Sequence, residues 1–123
     1  MAHVNNAAYL TYFEVARTGY MKALCHTGTD RPSLPELFPF ILAQISCRYL
    51  APAGLGDELV VHLRTTSIGA KSFEFQYLIV NAASGDAVAV GQSTQVYFDY
   101  SEQQTLPVPT AFRERIEQLE GPL

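Results

Sequence analysis

The chain has 123 residues, of which 48% are hydrophobic and 16% are charged, and its formal net charge is −4. This length holds one domain with a substantial core and excludes two, so residues 1–123 are assigned to a single domain. The negative balance, without a cluster of lysines or arginines, argues against nonspecific nucleic-acid binding. No apolar stretch is long enough to span a bilayer, and no basic segment followed by an apolar one opens the sequence, so we expect a cytoplasmic protein.

The first predicted element is a long helix. Asn5 or Asn6 can cap its first turn, and no proline interrupts the sequence from Ala7 to Leu24, so a helix is predicted from Asn6 to about Cys25. Its apolar residues cover more than one stripe, so it is expected to be buried on most sides. A helix start carries backbone N–H groups and a partial positive charge, which can hold a carbonyl oxygen that gains negative charge during a reaction.

Four strands are predicted after a proline-rich loop at residues 26–39, in which one short turn is expected at Leu34 to Leu37. Alternating apolar and polar residues place them at Phe40–Leu50, Glu58–Ile68, Phe73–Val80 and Ala87–Tyr100. In the first strand the alternation puts these residues on one buried face: Ile41, Ala43, Ile45, Cys47 and Tyr49. A short amphipathic helix is predicted from Thr110 to Leu119. Long antiparallel strands that curl around one apolar helix bury both, which predicts an α+β fold.

The histidines and cysteines lack metal-ligand spacing, so no metal site is predicted. Without a secretion signal, Cys25 and Cys47 are expected to be reduced and to pack as small apolar side chains. Ser46 and Ser93 have no adjacent histidine or aspartate, so a serine triad is not supported.

The segment His3-Val4-Asn5-Asn6-Ala7-Ala8-Tyr9, continued by Leu10 to Arg17, resembles the opening helix of hotdog-fold acyl-CoA thioesterases. More narrowly, it is similar to the 4-hydroxybenzoyl-CoA thioesterase-like branch, and the likeness extends over nearly the whole chain. It implies a hotdog fold that hydrolyses a fatty or aromatic acyl-CoA to the free acid and CoA. The thioester is then the substrate, no cofactor is needed, and the protein is a homodimer or a dimer of dimers.

Two features of this family are missing from the chain: a first strand before the helix, and a catalytic aspartate about two residues before the position of Met1. We therefore interpret Met1 as an internal methionine taken as a start, or the chain as truncated. The missing aspartate leaves a second function open, in which the chain is a catalytically weak acyl-CoA-binding or structural hotdog dimer.

The resemblance implies three catalytic candidates. The backbone N–H of Asn6 would bind the oxyanion, although Asn5 and Asn6 can also serve simply as helix caps. His3 would be the general base, because neutral imidazole suits that role near pH 7 and plant-type acyl carrier protein thioesterases carry a similar segment. The alternative is a loop histidine. Glu14 would be a base or nucleophile, or else an ion-pair partner of Arg17 three residues along the helix.

Five residues are candidates for substrate and CoA binding: Asn5, Tyr9, Arg48, Lys71 and Ser72. Tyr9 would line an acyl pocket or pack in the core. Arg48, on the polar face of its strand, would bind a phosphate or an acidic neighbour. Lys71 and Ser72 occupy the turn where the family often contacts CoA phosphates, although a lysine in a hairpin is usually just solvated.

Overall fold

Two helices and an antiparallel sheet make up the described chain. The computed structural model describes residues 6–25, 40–54 and 56–123, and only the backbone of residues 6, 7 and 25. His3, Asn5 and the turn expected at 34–37 therefore lie outside the described residues. The elements are α1 (Asn6–Cys25), β1 (Phe40–Tyr49), β2 (Leu59–Ile68), β3 (Ser72–Asn81), β4 (Ala87–Asp99), β5 (Gln104–Thr105) and α2 (Thr110–Glu120).

The sheet has the strand order β1-β4-β3-β2, and all the pairings are antiparallel. The four predicted strands are confirmed to within one or two residues at each end, and both predicted helices are present. β5 was not predicted. It is only two residues long and pairs with the end of β4 through Phe98 and Asp99, so no alternating pattern is long enough to indicate it.

A β-bulge in β1 changes which residues face the helix. The pairing with β4 shifts between Leu42 and Gln44, so Ala43 is an extra residue without a partner. The extra residue reverses the alternation of side chains, so before the bulge Phe40 rather than Ile41 packs against the core. The predicted face is therefore wrong for Ile41 and for the exposed Ala43. Beyond the bulge, Ile45 and Cys47 pack against the core as predicted.

The core lies between α1 and the inner face of the sheet, which is the face turned towards α1. Phe13 of α1 stacks on Tyr77 of β3, with ring centroids 4.3 Å apart and planes inclined by 25°. Further along, the Phe73 ring lies 4.9 Å from that of Phe112, which brings α2 onto the same layer. Fully burying a side chain of this size contributes about 1.5–3 kcal/mol, so these rings account for much of the contact between helices and sheet.

Gly91 lets α1 approach the sheet closely. A Cβ placed on Gly91 would lie 2.5 Å from the Phe13 ring and 2.9 Å from the carbonyl oxygen of Ser46. Glycine in a strand often marks such a close approach. The ring of Phe13 thus occupies the space that a side chain on β4 would need.

The end of α2 is held by a polar cluster at the inner face. The Glu120 carboxylate accepts hydrogen bonds from the Tyr20 hydroxyl at 2.8 Å and from the Thr65 backbone N–H at 2.6 Å. Tyr20 and Thr65 are also hydrogen-bonded to each other at 2.6 Å. Buried polar groups cost free energy when they lack hydrogen-bond partners. The hydrogen bonds of this cluster supply those partners and link α1 and α2 to β2.

The prediction that α1 is buried on most sides is wrong. Leu10 is 42% exposed and Val15 is 66% exposed, and Thr11, Glu14 and Lys22 are exposed on the same side. Apolar residues occur on several sides of α1, but in this chain the sheet covers only one of those sides. Neither described helix is long and apolar enough to cross a membrane.

Candidate active site at the start of the N-terminal helix

The start of α1 lies over the end of β1. Tyr9 is buried, and its ring centroid is 5.2 Å from that of Tyr49 and 6.0 Å from that of Tyr12. The half-buried Cys47 lies on the same side of β1 as Tyr49. Tyr9 is thus part of the core cluster at this end of the sheet.

The first turn of α1 can supply a hydrogen-bond donor to a substrate oxygen. The N–H groups at a helix start have no carbonyl partner within the helix, and the helix dipole favours negative charge there. Asn6 is the first residue of α1, so its N–H is one of these groups. This geometry fits the predicted oxyanion donor.

The surroundings of Tyr9 and Cys47 favour the neutral form of both side chains. Burial, then the neighbouring Tyr12, Cys47 and Asp57, raise the pKa of Tyr9 above its ordinary value. Burial also raises the pKa of the Cys47 thiol. A thiol with a raised pKa is a poor nucleophile, which argues against a nucleophilic role for Cys47.

Glu14 does not reach the start of the helix. It is exposed, and it lies eight residues beyond Asn6, which is about 12 Å along the helix axis. Arg17, its proposed ion-pair partner, instead donates a hydrogen bond to the Tyr77 hydroxyl at 3.1 Å. The structure therefore separates Glu14 from Asn6 within one chain.

The predicted CoA-binding residues are also not brought together in one chain. Arg48 pairs with Val90 on the outer face of the sheet, which is the face turned away from α1, whereas Tyr9 is on the inner side. Lys71 donates a hydrogen bond to the Thr105 hydroxyl at 3.1 Å. Ser72 is the first residue of β3 and Lys71 precedes it. They lie five and six residues before Tyr77, or about 17–20 Å along the strand at 3.3 Å per residue, and Tyr77 is where Phe13 contacts the sheet.

A chain of hydrogen bonds under α1 was missed by sequence reasoning. Arg17 donates to the Tyr77 hydroxyl, which is bonded to the buried Ser93 hydroxyl, and Ser93 donates to the side-chain oxygen of Gln95. The Gln95 amide then donates to the Phe73 carbonyl at 3.1 Å. Among these contacts Ser93 is bonded only to Tyr77 and Gln95.

Metal ligands do not converge in the described ranges, where no group of three histidine, cysteine or acidic side chains could hold an ion.

Comparison with known proteins identifies the family. The family model described as the thioesterase-like superfamily matches residues 1–116. The chain belongs to the thioesterase-like superfamily. A solved superfamily neighbour, a thioesterase from Thermus thermophilus complexed with coenzyme A and Zn, has a TM-score of 0.84 and 36% identity, over 99% of this chain and 85% of that one.

Curated thioesterases of Escherichia coli are also similar to the chain. The long-chain acyl-CoA thioesterase FadM is 29% identical over 117 residues, which are 95% of this chain and 86% of that enzyme. The acyl-CoA thioester hydrolase YbgC is 32% identical over 79 residues, which are 64% of this chain and 58% of that enzyme. The solved neighbours are hotdog-fold thioesterases, so the predicted hotdog fold is confirmed.

Proposed function

We propose that this thioesterase-like protein hydrolyses an acyl-CoA thioester to a free acid and CoA at the start of α1. The observation that carries the proposal is the superfamily match across residues 1–116, together with a helix start placed over β1 beside the buried Tyr9 and the half-buried Cys47. The relatives named above act on acyl-CoA thioesters, which supports this substrate class.

In the proposed reaction the Asn6 N–H stabilises the oxygen that becomes negative when water attacks the thioester carbonyl. His3 accepts the proton of that water, and Asn5 and Tyr9 contact the acyl part of the substrate. Glu14, Arg48, Lys71 and Ser72 would act on the substrate bound by a second subunit, because they lie away from the helix start of their own chain.

We propose a homodimer, or a dimer of dimers, assembled through the free edge of β1. Among the described strands, β1 pairs only with β4, and an open edge invites pairing with another chain. Three large apolar side chains at this strand are exposed: Leu42, Tyr49 and Leu50. Light scattering coupled to size exclusion tests this, and a monomer at micromolar concentration would refute it. We also propose a cytoplasmic location, which is supported by Cys47 being a free thiol.

The test of the activity is release of free thiol from octanoyl-, palmitoyl- and benzoyl-CoA by the purified chain. The expected result is turnover of at least one of these substrates. Inactivity on all three, with CoA binding retained in calorimetry, would refute hydrolysis and support the second candidate, a binding or structural protein. The second candidate is favoured by the position of Glu14, the carboxylate on α1, because it is exposed and lies away from the proposed site.

A further inference from the structure

A groove crosses the outer face of the sheet, opposite the helix. Its volume is about 410 Å³, and it is lined by His62, Leu63, Arg64, Gln76, Tyr77, Leu78 and Val90. A smaller groove of about 260 Å³ continues it across β4 to β1 and shares Gln76 and Val90. The larger volume is within the range of small-molecule sites.

The strand register arranges the side chains of this groove in two rows. One row runs Arg48, Val90, Leu78, His62 across β1, β4, β3 and β2, and the next runs Ser46, Gln92, Gln76, Arg64. The floor therefore has an apolar centre at Val90 and Leu78 bordered by Gln92 and Gln76, with Arg48 at the β1 end and Arg64 at the β2 end. Adjacent strands are about 4.8 Å apart, so β1 and β2 lie about 14 Å apart across the sheet, and Arg64 is two residues further along β2 than the position in line with Arg48.

The guanidinium of Arg64 is held in a fixed orientation. Its Nε and one terminal nitrogen donate to the same Gln76 side-chain oxygen, at 2.9 and 2.6 Å. A guanidinium has five N–H groups in a fixed plane, so three remain beyond these two bonds. Because the side chain is already ordered, less entropy is lost when it binds an anion.

Negative charge is absent from the lining of both grooves in the part of the chain that the structure describes. The nearest carboxylate on this face in the strand register is Glu74, which belongs to the next row. It already accepts hydrogen bonds from Ser67 at 3.1 Å and Thr94 at 3.5 Å. In a chain of net charge −4, this groove is thus a local cationic surface with an apolar floor.

We propose that this groove binds a small organic anion with an apolar body, with its carboxylate at Arg64 and its apolar part on Leu78 and Val90. The site is on the opposite face of the sheet from the helix start and does not depend on thioester hydrolysis. The combination of a preoriented cation with an apolar floor matches an amphiphilic carboxylate better than it matches an inorganic anion or a neutral lipid.

The test is a titration followed by two-dimensional ¹H–¹⁵N NMR of the full chain, with three probes. Octanoate has both the head and the tail, acetate has only the head, and octyltrimethylammonium has the same tail with the opposite charge. Octanoate is expected to shift the amide signals of Arg64, Leu78 and Val90, with at least a tenfold lower Kd than either control. Its Kd is expected to rise with salt, since the contact is exposed.

The variant Arg64→Gln is expected to raise the octanoate Kd at least threefold. Lys22→Gln removes the same charge from the exposed side of α1 and is expected to leave the Kd unchanged. Equal binding of octanoate and octyltrimethylammonium, or an unchanged Kd in Arg64→Gln, would overturn the proposal. So would the finding that octanoate leaves these signals unshifted while Arg64→Gln alters the oligomeric state in sedimentation, because a second copy would then occupy the face.

Discussion

The backbone N–H of Asn6 can be removed without removing the helix start. Asn6 is the first residue of α1, and proline is well tolerated at a first helical position because the N–H there has no partner within the helix. The preceding residue is pushed towards extended backbone by proline, which is the conformation that a helix-capping residue adopts. Asn6→Pro is therefore expected to leave the fold intact and delete one donor.

The expected effect of Asn6→Pro is a fall in kcat of about 10²- to 10³-fold, or about 2.7–4 kcal/mol, which is the typical cost of losing one oxyanion donor. Asn6→Ala keeps the N–H and removes only the side chain. If that side chain caps the helix, its loss costs about 1 kcal/mol of stability. Asn6→Ala is therefore expected to retain most of the kcat.

The assay is thiol release from the best acyl-CoA substrate, with kcat and KM measured separately and folding checked by circular dichroism. A folded Asn6→Pro variant with the kcat of the unmodified chain would refute the role of this N–H. Equal losses in Asn6→Pro and Asn6→Ala would assign the effect to the side chain instead.

Four further predictions concern stability and are checked by urea or thermal unfolding. Gly91→Ala is expected to cost about 1–3 kcal/mol, because the added Cβ would overpack against Phe13 and the Ser46 carbonyl; an unchanged midpoint would contradict the close approach. Gly19→Ala, the matched control on the exposed side of α1 with nothing within 4 Å of an added Cβ, is expected to gain about 0.5–1 kcal/mol. Ser93→Ala is expected to cost about 1–3 kcal/mol, because it removes the Ser93 hydroxyl to which Tyr77 is bonded and the donor to the Gln95 side-chain oxygen, and a neutral result would show that water replaces the hydroxyl. Burial raises the pKa of Tyr20 above its ordinary value of 10.0, so its contribution to stability is complete below pH 10 and is lost as the pH rises further; Tyr20→Phe is expected to lessen that alkaline loss, and an identical pH dependence in the variant would refute the assignment.

The strands were predictable because their side chains alternate over long runs. β3 illustrates this: Phe73, Phe75, Tyr77 and Ile79 are all fully buried, as an alternating pattern requires. The bulge at Ala43 was not predictable, because an extra residue becomes visible only when the partner strand is known. The same limit applies to the exposure of α1, since apolar residues around a helix do not show how many of its sides are covered within one chain.

The candidate site was predictable only in the part that depends on residues close together in the sequence. The start of α1 follows from the asparagines and the proline-free segment after them, and the structure begins the helix at Asn6. From the sequence, the spacing of Glu14 and Arg17 favoured a local ion pair between them. In the structure, Arg17 forms a hydrogen bond with Tyr77, which is 60 positions away in the sequence. Long-range contacts of this kind depend on strand register, which composition and periodicity do not determine.

The contact between Phe13 and Gly91 has a consequence for the direction of α1. Because the aromatic ring fits a gap left by a missing side chain, rolling the helix by one residue, about 100°, would lift the ring out and press a different side chain onto β4. The contact therefore sets both the roll and the height of α1 above the sheet. It also fixes where the axis of α1 points, so a residue two turns away from Asn6 determines the direction of the N–H groups at the start of the helix.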